Sequence, residues 1–147
     1  MSNHIDTFVA IIEAWKRKDI DAVLAHMSDD IVWHFAAAVE PPIVGKASAR
    51  KFLNRFGAEI AEVRWRVFHH AQSGDRLFVE GVDEYVTPLG QVIAAPYAGV
   101  LEFSGDLVSG WRDYVDVGVV AAQKAGKPLT PQVLQLMDRA ALTPKSA

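Results

Sequence analysis

Apolar residues recur three and four apart at the start of the chain, at Ile5, Phe8, Val9, Ile12 and Trp15. That spacing puts them on one face of a helix over residues 5–16. Ser2 or Asn3 stands where a cap belongs, and Lys16-Arg17-Lys18 brings positive charge to the last turn, where the helix dipole favours it. A second, short helix starts at Asp19, with Ile20, Val23, Leu24 and Met27 on one side, and Ser28-Asp29-Asp30 ends it. Ile31 to Ala37 reads as a strand, and Glu40-Pro41-Pro42 with Gly45 as a loop, because paired prolines fit neither a helix interior nor a central strand. A third helix, about Lys46 to Phe56, has Ala49, Phe52, Leu53 and Phe56 on one face and Gly57 as its stop.

From Glu62 onward the period falls to two. Glu62–Ala71, Arg76–Val86, Val92–Phe103 and Leu107–Val115 read as strands, joined by Ser73-Gly74-Asp75, Pro88-Leu89-Gly90 and Ser104-Gly105-Asp106. Such short turns favour an antiparallel meander. A last helix follows, with Thr130 as cap and Pro131 at its first position. Helices first and a sheet after predict an α+β fold, with the helices on one face of the sheet. Curvature makes that face a cone-like cavity. A single domain is expected over residues 1–147, the cone over about 3–118 and a helical tail over 119–147.

Residues two apart on a strand share a face. One set joins Val63, Trp65, Val67 and His69 to Leu77, Val79, Gly81, Asp83 and Tyr85. It continues with Tyr97, Gly99, Leu101 and Phe103, and then Leu107, Ser109, Trp111, Asp113 and Val115. The other set holds Arg64, Arg66, Glu80, Glu84, Glu102 and Arg112, together with Phe68, Phe78, Val82, Val100, Val108 and Tyr114. The charged set is assigned to the outer face. Its apolar members make that face a plausible homodimer interface, against the plainer reading of a solvated sheet face.

The apolar set therefore faces the helices, and it carries Asp83 and Asp113 among Trp33, Phe35, Trp65, Tyr85, Tyr97 and Trp111. A buried ionised carboxylate costs several kcal/mol unless it is paired, and desolvation raises its pKa. Two that lie close titrate as a coupled pair, an acid beside a base. The competing reading has one of them capping a loop or paired with an arginine elsewhere. His69 is the third candidate for the chemistry, against the commoner role of a hydrogen-bonded core histidine. The aromatic residues are core first, and walls for an apolar ligand second.

Composition narrows the chemistry further. The chain has 147 residues, no cysteine, and 15 Lys and Arg against 18 Asp and Glu, a net charge of −3. Thiolate chemistry is excluded, and no basic face suits nucleic acid. Without a bilayer-length apolar run or a signal-peptide layout, no membrane association and a cytoplasmic location are expected. His69-His70 is no metal pair, since strand neighbours point to opposite faces. Two aspartates and a histidine could form a facial triad, but no helical His pair or carboxylate cluster accompanies them, so no metal or organic cofactor is expected. Gly99 and Gly105 belong to no phosphate-binding pattern, and Ser48, Ser73, Ser104 and Ser109 lack a nucleophile elbow.

The run Trp111-Arg112-Asp113-Tyr114-Val115-Asp116, within 101–116, resembles the closing hairpin of limonene-1,2-epoxide hydrolases. These share the nuclear transport factor 2-like superfamily with SnoaL-like polyketide cyclases and ketosteroid isomerases. Over about residues 3–118 the resemblance implies a strongly curved, mixed but mainly antiparallel sheet. It also implies an Asp-Arg-Asp triad that activates water and protonates an epoxide. Asp113 and Asp83 match the two aspartates. The bridging Arg falls at Gly81, and the water-holding Tyr and Asn fall at Trp33 and Phe35. The expectation is a small-molecule enzyme on a hydrophobic substrate, with Asp83, Asp113 and His69 as acid–base groups. Trp33, Phe35, Trp65, Gly81, Tyr85, Tyr97 and Trp111 would contact that substrate. Epoxide opening stands first, an isomerase, dehydratase or cyclase next, and a non-catalytic binding module last.

Overall fold

The computed structural model describes residues 3–145. Three helices come first: α1 (His4–Lys16), α2 (Ile20–Leu24) and α3 (Lys46–Ala58), with strands β1 (Met27–His34) and β2 (Ile43–Val44) between the last two. Then follow β3 (Glu62–Val63), β4 (Arg66–Ser73), β5 (Arg76–Val86), β6 (Val92–Ser104) and β7 (Leu107–Val115), and finally α4 (Val117–Lys124) and α5 (Pro131–Met137). The strands form one mixed sheet in the order β2-β1-β7-β6-β5-β3, with β4 also on β5. β4 to β7 make the expected antiparallel meander, and β1 closes on β7 in parallel.

Helices α1, α2 and α3 lie on the concave side. Phe8 of α1, fully buried, meets Trp65 and Trp111 edge-on at centroid distances of 5.3 and 5.8 Å, which seats the helix against the sheet. Asp19 caps α2 through Ala22 N–H, and Thr130 caps α5 through Val133 N–H. Asn3 precedes α1 without a side-chain cap bond, and Ser2 lies outside the described residues.

Several boundaries differ from the sequence reading, each for a tertiary reason. Met27 is not the end of α2 but the start of β1, fully buried and paired with Val108; Ser28, Asp29 and Asp30 are strand residues. That strand stops at His34 rather than Ala37. Gly57 does not end α3 but lies within it, where a side chain would meet the Trp15 ring at 3.3 Å. The strand expected over Glu62–Ala71 is two pieces, β3 and β4, and β4 is irregular between Val67 and His69. That bulge turns His69 to the outer side, paired with Glu80 and exposed. A second irregularity, between Glu102 and Phe103, exchanges Leu107 and Val108: Val108 is buried in the core and Leu107 is exposed.

The outer face is also less open than its pattern implied. Phe68, Val82 and Ala94 are buried under Val133 of α5, with Met137 packed alongside. Arg139 lies 4.6 Å over the Phe68 ring and pairs with Glu80 at 2.9 Å, while Leu142 N–H donates to the Val67 carbonyl. Phe78 and Tyr114 remain exposed. Among the described residues no helix is long and apolar enough to cross a membrane.

Candidate active site

A cavity of about 530 Å³ opens between the helices and the concave face of the sheet. Trp111 lies between Trp33 and Trp65 in a near-parallel stack, with centroids 5.2 and 6.0 Å apart and interplanar angles of 21° and 22°. Phe35, Phe52, Phe56 and Tyr85 continue the aromatic wall at 4.8 to 5.5 Å. The wall is thus apolar surface suited to a flat or ring-shaped ligand. The exposed residues Glu40, Arg55, Glu59 and Lys124 mark the rim, where Lys124 and Glu59 approach to 3.8 Å across α4 and α3.

Asp83 and Asp113 both line this cavity, from β5 and β7 on either side of β6. Asp83 stands opposite Ala95, Asp113 opposite Gly99, and Tyr97 lies between those two positions on β6. Asp113 Oδ1 accepts from Trp111 Nε1–H at 3.0 Å. Asp83 has no hydrogen-bond or ion-pair partner among the described residues, and no cation pairs with either carboxylate. Burial alone pushes Asp83 up to about 7. Burial pushes Asp113 up to about 8, helped by the charge of Asp83 and opposed by the indole hydrogen bond. Uncompensated desolvation explains both directions, since it disfavours the charged form.

Gly81, expected at the cavity wall, is not part of it. It faces Tyr97, whose hydroxyl accepts from Trp65 Nε1–H at 2.8 Å and donates to the Arg66 carbonyl at 3.2 Å. A Cβ at Gly81 would lie 2.1 Å from that carbonyl and 2.7 Å from the Tyr97 hydroxyl. No side chain fits there, least of all an arginine. The ionisation of Tyr97 is pushed well up by burial and the charge of Asp113.

The other expected wall residues, Trp33, Phe35, Trp65, Tyr85, Tyr97 and Trp111, come together around the cavity. His69 does not; the bulge in β4 leaves it outside the site. Among the described residues no group of three or more His, Asp or Glu side chains could hold a metal ion.

Sequence reasoning missed the contribution of α4. Asp116 caps it by accepting from Gly118 and Val119 N–H, and Val117, Val120, Ala121 and Lys124 line the cavity. Their three-and-four spacing behind an aspartate was the available signal. Gln123 anchors the helix where β7 has ended: its side chain accepts from Ala94 N–H at 2.8 Å and donates to Ala94 C=O at 2.9 Å, as a neighbouring strand would.

The comparisons with known proteins agree with this architecture. No curated protein matches the chain. Among solved structures, it is similar to an NTF2-like protein of unknown function from Burkholderia pseudomallei K96243, at 21% identity and a TM-score of 0.71 over 94% of this chain and 99% of the other. It is also similar to an LEH-like epoxide hydrolase from M. tuberculosis, at 20% identity and a TM-score of 0.71 over 90% of each chain. A protein from Shewanella putrefaciens CN-32, provisionally named a SnoaL-like polyketide cyclase, aligns at 17% identity and a TM-score of 0.75 over 86% of this chain and 99% of the other. At these identities the likeness concerns the fold, an α+β NTF2-like half-barrel. The sequence profile of the SnoaL-like domain matches residues 8–111, and the chain belongs to that family.

Proposed function

We propose that the protein is a general acid–base enzyme that moves a proton next to a carbonyl in a hydrophobic, cyclic small molecule, with isomerisation or ring closure as the outcome. The observation that carries this reading is the pair of cavity carboxylates with no cation between them. With Asp83 pushed up to about 7 and Asp113 to about 8, one is ionised while the other keeps its proton near neutrality. The cycle is written with Asp83, which accepts no hydrogen bond among the described residues, as the base, and Asp113, oriented by the Trp111 indole, as the acid.

Asp83 takes a proton from the carbon beside the carbonyl while Asp113 gives its proton to the carbonyl oxygen. The product of this step is an enol, with the protonation states of the two aspartates exchanged. Where a double bond adjoins the abstracted position the enol is a dienol; return of its hydroxyl proton to Asp113, and of the Asp83 proton to the far end of the dienol, shifts the double bond and resets the pair. The aromatic stack and the wall of Phe35, Phe52 and Phe56 hold the ring and exclude water, which strengthens each electrostatic contact.

Epoxide opening, first in the sequence reading, is the second reading here. It is favoured by the presence of both aspartates of the Asp-Arg-Asp pattern, and weakened because Gly81 cannot hold the bridging Arg. Trp33 and Phe35 also put aromatic rings where the water holders would be.

Hydrogen–deuterium exchange next to the carbonyl of 2-decalone in D₂O, followed by NMR, tests the proposal. Catalysed exchange that is lost in Asp83→Asn and Asp113→Asn supports it. Diol formed from limonene oxide with oxygen-18 from labelled water, without exchange, replaces it with hydrolysis. Binding of both compounds without turnover of either leaves a ligand-binding module.

A further inference from the structure

Asp83 and Asp113 differ in how firmly they are held. Asp83 has no hydrogen-bond partner among the described residues, whereas Asp113 is bonded on one oxygen by an indole N–H at 3.0 Å. Opposite Asp113, across the β6–β7 ladder, stands Gly99. A Cβ there would lie 2.4 Å from Asp113 Oδ1, closer than real side-chain carbons come. The carboxyl group therefore occupies the space that any other residue at 99 would fill. The bonded oxygen and the oxygen over the glycine are the same atom, so the two contacts fix one orientation of the group.

We propose that Gly99 and Trp111 are positioning residues for Asp113: the glycine opens the seat, the indole N–H pins Oδ1 in it, and Oδ2 is left as the oxygen that takes and releases the proton. A carboxylic acid accepts a hydrogen bond best on its carbonyl oxygen, so an indole donor on Oδ1 keeps the proton on Oδ2. Trp111 is itself locked, fully buried between Trp33 and Trp65 and touched edge-on by Phe8. The pin is rigid because the donor cannot follow the carboxyl group elsewhere. Trp111 thus serves the cavity twice, as wall and as donor. Gly99, which belongs to no recognisable sequence motif, is required by the volume of a carboxyl group on the next strand.

This inference rests on the acid–base reading for its purpose, but its test does not use turnover. Carboxyl-¹³C-aspartate labelling follows the two titrations separately, assigned with Asp83→Asn and Asp113→Asn, alongside the Trp111 indole ¹H–¹⁵N resonance in the unmodified protein. The titratable and charged groups that share the cavity with Asp113 are Asp83 and Tyr85 from β5 and Tyr97 from β6, with Glu40, Arg55, Glu59 and Lys124 at the rim. The indole resonance is expected to shift with pH along the Asp113 curve in the unmodified protein, and to lose that shift in Asp113→Asn. Trp111→Phe keeps a ring but removes the donor, and is expected to move the Asp113 midpoint up by about one pH unit, while Asp83 stays in place or falls slightly. Gly99→Ala is expected to separate the indole shift from the Asp113 titration. An indole resonance that ignores Asp113 in the unmodified protein would overturn the proposal even if neither variant folds. An unmoved Asp113 midpoint in folded Trp111→Phe would do the same. Exchange activity that is absent while these titrations behave as described would count against the proposed function alone.

Discussion

Asp83 and Glu84 are neighbours on β5 and point to opposite faces of the sheet. Glu84 is 1% exposed and ringed by cations: Arg66 at 2.9 Å, Arg64 at 3.3 Å and Lys145 at 3.6 Å. Arg66 also donates to the Met137 carbonyl, so the cluster ties the sheet to α5. Asp83, one residue earlier, lines the cavity and has no ion-pair or hydrogen-bond partner among the described residues. A carboxylate held for stability is neutralised, whereas one available for chemistry is left unsatisfied. The contrast separates the two faces of the sheet more clearly than their hydropathy does.

The largest effect expected from breaking this contrast is on catalysis. Asp83→Asn and Asp113→Asn should each lower exchange turnover by about 10²–10⁴-fold, the range of a single acid–base group, with circular dichroism unchanged. On the other face, Glu84→Gln should destabilise the fold by about 3–5 kcal/mol, because it leaves the buried Arg66 without its charge partner. Urea denaturation reads this, and a midpoint equal to that of the unmodified protein would show the cluster to be ornamental.

The two faces should also respond differently to pH. Asp83 and Asp113 have folded-state pKa values raised above their unfolded ones, so between about pH 4 and pH 8 the unfolded chain ionises while the folded one lags. Their contribution is then a loss of stability as pH rises through that window, fully developed above about 8. Asp83→Asn should remove part of that loss, stabilising the protein at pH 8.5 by roughly 1–3 kcal/mol and hardly at all at pH 4. Thermal melts at the two pH values check the sign.

Smaller effects belong to the elements that close the cavity. Gln123→Ala removes both bonds to Ala94 and should cost about 1–3 kcal/mol, since the buried backbone groups of Ala94 on β6 then lose their partner. Hydrogen exchange at the Ala94 amide should rise with it. Thr130→Ala removes only the α5 cap and should cost about 1 kcal/mol.

Much of the fold was legible because period-two and period-four patterns report burial directly. The meander, the concave aromatic set and the two inward aspartates all follow from alternation. His69 was not legible, because one bulge in β4 reverses every later residue of that strand. Leu107 and Val108 changed places for the same reason. The outer face misled in a different way: Phe68 and Val82 look exposed until α5 is known to lie over them. Gly81 was expected at the substrate, where the resemblance puts an arginine, and only the approach of the Arg66 carbonyl shows that no side chain fits.

By itself the sequence determined which residues share a face, since strand geometry fixes alternation locally, and so it placed two carboxylates against an apolar wall. The tertiary structure decided what those carboxylates are. Pairing register left both without a cation partner among the described residues, put Tyr97 between the positions opposite them on β6, and set Gly99 and Trp111 around Asp113. The hydrogen bond that holds the Tyr97 hydroxyl comes from Trp65, 32 positions away. No local pattern encodes such contacts, because they depend on how separate strands meet in space.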